Sequence, residues 1–251
     1  MSGHSKWSTI KRKKGAADAK RGKIFTKLIR EITVAARTSG GDPDGNPRLR
    51  KALSEARAEN MSRDNIERAV KRGTGELEGV SYEEITYEAY GPGGAAVICE
   101  TMTDNRNRTV PELRKILERH SGKLATPGSV SFLFQKRGVF TFEASSIGED
   151  RLTEIAIDVG ADDVRNLGQV LEVLCDPGAF ESVREGLEKA GLHPVTAELG
   201  LVPQTTVPLS GRDAEVMLRL VETLEDHDDV QHVWANFQIE DAELERLSSS
   251  V

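Results

Sequence analysis

A chain of 251 residues, 37% hydrophobic and 30% charged, is long enough for two or three domains with ordinary cores and a well-solvated surface. No apolar run approaches the ~20 residues of a membrane-spanning helix. The opening segment has cations with no apolar stretch behind them, which excludes a signal peptide and makes a cytoplasmic location, with no membrane partner, the expectation. The net charge of −7 hides an asymmetry: residues 1–75 hold 19 Lys+Arg against 8 Asp+Glu (+11), and residues 76–251 hold 15 against 33 (−18). A basic third carried on an acidic remainder calls for a polyanion partner.

The arm from Lys6 through Trp7 to Lys11, Arg12, Lys13 and Lys14 has cations to neutralise phosphates. Its Trp7 either stacks on an unpaired base or packs against the helices that follow. From Asp18 to Thr38 the period is helical, with Ile24, Phe25, Leu28, Ile29, Ile32, Ala35 and Ala36 on one face. Lys20, Lys23, Lys27, Arg30 and Arg37 fall opposite. A solubility face mixes acids and bases three or four residues apart, and this one hardly does, which favours phosphate binding. After the glycine-rich Gly40–Gly45, Asn46 and Pro47 open a second helix lined by Leu49, Ala52, Leu53 and Ala56. Ser62 caps a third helix that ends at Arg72, with Gly73 expected to terminate it.

From Ile85 the period changes to two. Ile85–Tyr90 and Ala95–Met102 form a predicted hairpin around Gly91-Pro92-Gly93-Gly94, a turn and not a phosphate loop, since no Lys-Ser/Thr follows. Thr109-Val110-Pro111-Glu112 reads as a capping box for the next helix. Predicted strands Val130–Gln135 and Val139–Glu143 follow. Next come a helix near Asp150–Val159, strands near Asp163–Leu167 and Gln169–Cys175, a helix Ala179–Ala190 and a strand Pro194–Glu198. Led by Val139–Glu143, this is the βαββαβ order of a ferredoxin-like module. A strand near Leu201–Leu209, a helix near Arg212–Asp226 and a strand near Val230–Ile239 return to the sheet begun at Ile85.

The fold expected is therefore α+β in three domains. A helical one (1–78) precedes an α/β domain in two pieces (79–136 and 201–251), with a ferredoxin-like α/β domain (137–200) inserted.

No P-loop, nucleophile elbow, paired CxxC or zinc-protease helix is present. Cys99 and Cys175 lie in apolar runs and read as buried free thiols. The histidines His4, His120, His193, His227 and His232 are dispersed, and His227 and His232 have a poor ligand spacing, so neither a metal nor a cofactor is expected. One non-periodic polar cluster, Thr103 to Thr109, lies between a strand and a capped helix. There Arg106 and Arg108 can reach phosphates with Asp104 orienting them, or else Asp104 and Asn105 are turn residues and Arg106 bonds a nearby carboxylate.

Gly3-His4-Ser5-Lys6-Trp7, the lysine-rich run after it and Asp18-Ala19-Lys20-Arg21-Gly22-Lys23 resemble the YebC-type family. So do Asn65–Ala69, Tyr87–Gly94 and Thr103–Arg108, in the family's order and over the whole chain. Ser62 departs from the proline usual there, and serine caps equally well. The resemblance implies three domains with the third inserted in the second, and a role in gene expression. Bacterial members are described as DNA-binding transcriptional regulators. Organellar relatives are described as translational activators, and a ribosome-associated role in difficult peptide-bond formation is also attributed to the family. The expected partners are thus ribosomal RNA or the ribosome, or promoter DNA. The absence of an obvious helix-turn-helix lowers base-specific DNA reading. An enzyme with an unfamiliar site at Asp104, Arg106 and Arg108 is the alternative of another class. The candidate contacts are Lys6, Trp7, Lys11, Arg12, Lys13, Lys14, Lys20, Arg21, Lys23, Lys27 and Arg30, with Arg106 and Arg108.

Overall fold

The computed structural model describes Trp7 and residues 18–249, with residues 18–21, 245, 248 and 249 as backbone alone. Three helices open it: α1 (Asp18–Ser39), α2 (Pro47–Ala58) and α3 (Arg63–Thr74). The periodic face of α1 is buried as expected, Leu28, Ile32, Ala35 and Ala36 packing on Leu49, Ala52, Leu53 and Ala56 of α2 and Ala69 of α3. Asn46 does more than cap. Its side-chain oxygen accepts from the Leu49 N–H at 3.0 Å, and its amide donates to the Ala35 and Gly40 carbonyls at 2.8 Å, tying the glycine-rich loop to the end of α1.

Gly73 does not terminate α3. The helix runs on to Thr74, and Gly75, at φ +83°, is the left-handed cap. Gly73 is instead where α1 and α3 cross: a Cβ there would sit 2.4 Å from the Thr33 carbonyl oxygen and 2.6 Å from the Ala36 Cβ. A glycine inside a helix marks either a cap or a close backbone approach, and only the partner helix reveals which.

The first sheet has the order β3-β1-β2-β9, from β1 (Glu83–Tyr90), β2 (Ala96–Thr103), β3 (Lys123–Leu124) and β9 (Val230–Ala235). Helices α4 (Arg106–Arg119) and α7 (Gly211–Glu225) bury Leu113, Leu117, Met217 and Val221 against one face, together with Ala89, Val97 and Cys99. The two-stranded ribbon of β8 (Val207–Pro208) and β10 (Phe237–Gln238), and then α8 (Asp241–Ser249), complete that side.

Between them lies a second sheet, order β5-β6-β4-β7, from β4 (Phe134–Glu143), β5 (Asp163–Asn166), β6 (Val170–Cys175) and β7 (Thr196–Pro203). Helices α5 (Glu149–Asp158) and α6 (Phe180–Lys189) cover one face through Leu152, Ala156, Val183 and Leu187. This is the ferredoxin-like arrangement, inserted between β3 and β8 of the first α/β unit. Both cysteines are buried and free, and burial pushes the Cys99 thiol up to about 12.

Three expectations are corrected. The helix placed at Thr109 starts a turn earlier, at Arg106, with Asn105 as cap accepting from the Arg108 N–H at 3.2 Å; Pro111 lies inside it. The break expected before Val139 is absent, because β4 runs unbroken through Gly138, whose missing side chain admits Cys175 Sγ and Phe180. The strands expected at Pro194–Glu198 and Leu201–Leu209 are one strand, β7, up to Pro203, with the short β8 beyond it. The domain breaks expected at 136/137 and 200/201 therefore fall inside paired strands.

Candidate nucleic-acid interface

The basic stripe of α1 faces protein. Residues 225–229, Glu-Asp-His-Asp-Asp, form the end of α7 and the turn into β9, and the stripe docks along them. Lys23 Nζ lies 3.4 Å from the Asp226 carboxylate. Lys27 Nζ donates to the Glu225 carbonyl at 2.6 Å, where a helix C-terminus attracts a cation. Arg30, 9% exposed, donates to the Met102 carbonyl at 3.0 Å, the Asp228 carbonyl at 2.6 Å and Asp229 Oδ1 at 2.6 Å. Its guanidinium also lies 5.4 Å from the centre of the Tyr82 ring. Arg37 donates to Ser81 Oγ and the Tyr82 carbonyl. Arg30 is thus withdrawn from the expected phosphate contacts, and Lys23 and Lys27 are engaged beside it.

Asp229 is the hub of this junction. Its buried carboxylate accepts from Arg30, from Arg108 Nη2 at 3.0 Å, from Thr109 Oγ1 at 2.7 Å and from Thr103 Oγ1 at 3.2 Å. Burial raises its pKa, and the hydrogen bonds from Thr109, Arg108 and Arg30 more than offset that, holding it down at about 2. Arg108 also pairs with Asp104 at 2.8 Å, and these two partners push its pKa well above the ordinary arginine value. The polar cluster from Thr103 to Thr109 is thus a helix cap with an internal ion-pair network. Arg106, the other arginine, is exposed and interacts with the Tyr87 hydroxyl, with no carboxylate partner among the described residues. Glu112, His227 and Asp229 also approach one another, with Glu112 3.0 Å from His227 Nε2, but two guanidiniums and two hydroxyls already occupy Asp229.

Trp7 is 4% exposed and packs in the core of the first sheet with Ala89, Val97 and Met217. Its ring is therefore packed against the next domain and not within the helical one. Lys6, Lys11, Arg12, Lys13 and Lys14 lie outside the described residues, as do the side chains of Lys20 and Arg21.

The cations left free are elsewhere. Arg50 and Arg57, seven apart on one face of α2, and Arg68, Lys71 and Arg72 on α3 are all exposed, with no carboxylate partner among the described residues. Acids interspersed on these helices obscured them in the sequence. Two of those acids pair locally, Glu55 with Lys51 at 3.8 Å and Glu67 with Arg63 at 2.7 Å. The i, i+3, i+4 spacing of Arg68, Lys71 and Arg72 was the signal that would have found the patch.

The helical domain thus docks through its longest basic helix and leaves Arg50, Arg57, Arg68, Lys71 and Arg72 of the other two exposed, ahead of two α/β units. A family description, "TACO1/YebC protein N-terminal domain", matches residues 5–76, and "TACO1/YebC second and third domain" matches residues 82–237. The chain belongs to the TACO1/YebC family. A Geobacter sulfurreducens protein named "Probable transcriptional regulatory protein GSU1074" is 59% identical over 98% of this chain and 100% of its own length. A "Probable transcriptional regulatory protein" of Syntrophus aciditrophicus is 56% identical over 99% of this chain and all of its own. The crystal structure of a conserved hypothetical protein, Aq1575 from Aquifex aeolicus, superposes with a TM-score of 0.80 at 45% identity, covering 89% of this chain and 93% of that one.

Proposed function

We propose that this chain is a non-enzymatic regulator of gene expression that acts in the cytoplasm by binding nucleic acid. It grips phosphates through the exposed cations of its helical domain, at ribosomal RNA or the ribosome, or at DNA. The observation that carries the reading is the set Arg50, Arg57, Arg68, Lys71 and Arg72, exposed and with no carboxylate partner among the described residues, within residues 1–75 whose balance is +11. Lys6, Lys11, Arg12, Lys13, Lys14, Lys20, Arg21 and Arg106 belong to the same proposal. The names of the relatives support regulation. Mutual satisfaction of Asp104, Arg108 and Asp229 supports a role without catalysis, since none of the three is left as a free base.

DNA has one specific observation in its favour. Only the four-residue turn Glu59–Ser62 separates α2 from α3, the short connection that a helix-turn-helix has. Ultraviolet crosslinking in growing cells, with sequencing of the attached nucleic acid, tests the reading. Adducts on ribosomal RNA through peptides of residues 48–72 establish a translation role, and enrichment at promoters with no RNA adducts establishes a transcriptional one. No nucleic-acid adducts at all would refute both.

A further inference from the structure

Phe132 is 68% exposed, the one aromatic ring among the described residues that is more in water than out of it. It stands on the segment between β3 and β4, and that segment is held rigidly. The Glu88 carboxylate, on the edge-side strand β1, accepts three backbone N–H groups from it: Gly128 at 2.6 Å, Val130 at 2.6 Å and Ser131 at 2.9 Å. The Tyr90 hydroxyl donates to the Ser129 carbonyl at 3.3 Å. On either side of the ring, Val130 is fully buried and Leu133 and Phe134 pack with Ala96, Ile98 and Trp234. The backbone is thus anchored on both flanks while the ring itself is displayed, an arrangement that core packing alone does not require.

The sequence on either side of it is charged unlike the rest of the acidic portion. Residues 106–137 hold eight Lys+Arg against two acids, a balance of +6 inside a region of −18, although Arg108 and Arg137 pair with Asp229 and Asp162. Lys123 and Lys136 are exposed with no carboxylate partner among the described residues. Lys123 is the register partner of Tyr90, and its Nζ lies 5.7 Å from the centre of the Tyr90 ring, which puts it on the segment's side of the sheet. Lys136 follows Phe132 by four residues. The exposed neighbours Thr126, Pro127, Gly128 and Ser131 offer no second large apolar side chain. A protein partner docking by burial needs a contiguous apolar patch. One rigid exposed ring, with an exposed lysine before it and another after it in the sequence, fits a single unpaired base with its flanking phosphates.

We propose that the segment between β3 and β4 is a base-stacking subsite for single-stranded nucleic acid, with Phe132 as the platform and Lys123 and Lys136 as phosphate contacts. The proposal rests on the nucleic-acid reading above and adds a second contact point remote in sequence from the helical domain. It is tested by fluorescence anisotropy of the full chain with labelled oligouridylate roughly 12 nucleotides long and with a duplex of the same length. Phe132→Ala is expected to weaken single-strand binding roughly tenfold or more and to leave duplex binding unchanged. Phe132→Trp is expected to retain binding, with its fluorescence quenched by the oligonucleotide. An unchanged melting temperature shows that Phe132→Ala folds, because the ring contributes little to the core.

Wild-type single-strand affinity in Phe132→Ala, with duplex binding intact, overturns this proposal alone. A wild-type chain that binds neither probe overturns the broader reading with it. Loss of a dimer in sedimentation of Phe132→Ala, with single-strand affinity retained, assigns the ring to self-association and overturns it too.

Discussion

Helices α1 and α3 both carry cations at three- and four-residue spacing, and the two sets have opposite fates. On α1 the stripe is almost free of acids, and Lys23, Lys27 and Arg30 lie against the acidic turn 225–229. On α3 the cations are mixed with Asp64 and Glu67, yet Arg68, Lys71 and Arg72 remain exposed. A pure stripe of one sign is the better electrostatic complement for any partner, including another part of the same chain. Purity of charge therefore identifies a docking face, without saying whether the partner is a nucleic acid or the neighbouring domain.

The sharpest way to break this comparison is at the α1 junction. Asp229→Ala leaves Arg30 buried without its carboxylate and is expected to cost about 3–5 kcal/mol in urea unfolding. A loss below about 1 kcal/mol would mean that α1 docks weakly and its stripe is available to phosphates. Next in size, Gly73→Ala puts a methyl group against the Thr33 carbonyl where α1 meets α3, with an expected cost of about 1–3 kcal/mol by the same measurement.

Neutralising Arg68, Lys71 and Arg72 together to glutamine is expected to change stability by no more than about 0.5 kcal/mol. It should also lower the slope of log affinity against log salt by about three. An unchanged slope would remove α3 from the interface. For Lys23→Ala the half-exposed pair with Asp226 leaves an expected loss of stability under about 1 kcal/mol, well below that of Asp229→Ala.

The junction also has an acid signature. Asp229 is held at about 2, below its ordinary 3.8, so its stabilising contribution is complete above the ordinary value and is lost as the pH falls through about 2. Acid unfolding followed by circular dichroism should therefore be less steep across that window in Asp229→Asn than in the wild-type chain. Equal steepness in the two would show that the carboxylate does not carry the acid sensitivity.

Much of the fold was legible because its signals are local. The buried face of α1, the Asn46 and Ser62 caps, the hairpin at Gly91–Gly94 and the βαββαβ order all follow from periodicities of 3.6 and 2.0 and from turn residues. The misreadings came where a glycine or a threonine served a distant partner. Gly73 admits α1, Gly138 admits Cys175 and Phe180, and Thr109 bonds Asp229 instead of capping a helix. Phe132 gave no signal either: a phenylalanine in an apolar run, Val130 to Phe134, reads as core until the fold turns it outward.

By itself, then, the sequence determined the elements, their order and the placement of positive charge in the first third of the chain. The tertiary structure decided which of those charges are free. Lys27 and Arg30 meet groups 198 and 199 residues away, and Trp7 enters the core of another domain. Helical and strand periodicity reports only which side of an element a residue faces. What stands opposite that side is set by chain crossings hundreds of residues apart, and an ion pair or a hydrophobic contact forms only where those crossings bring both partners within a few ångströms.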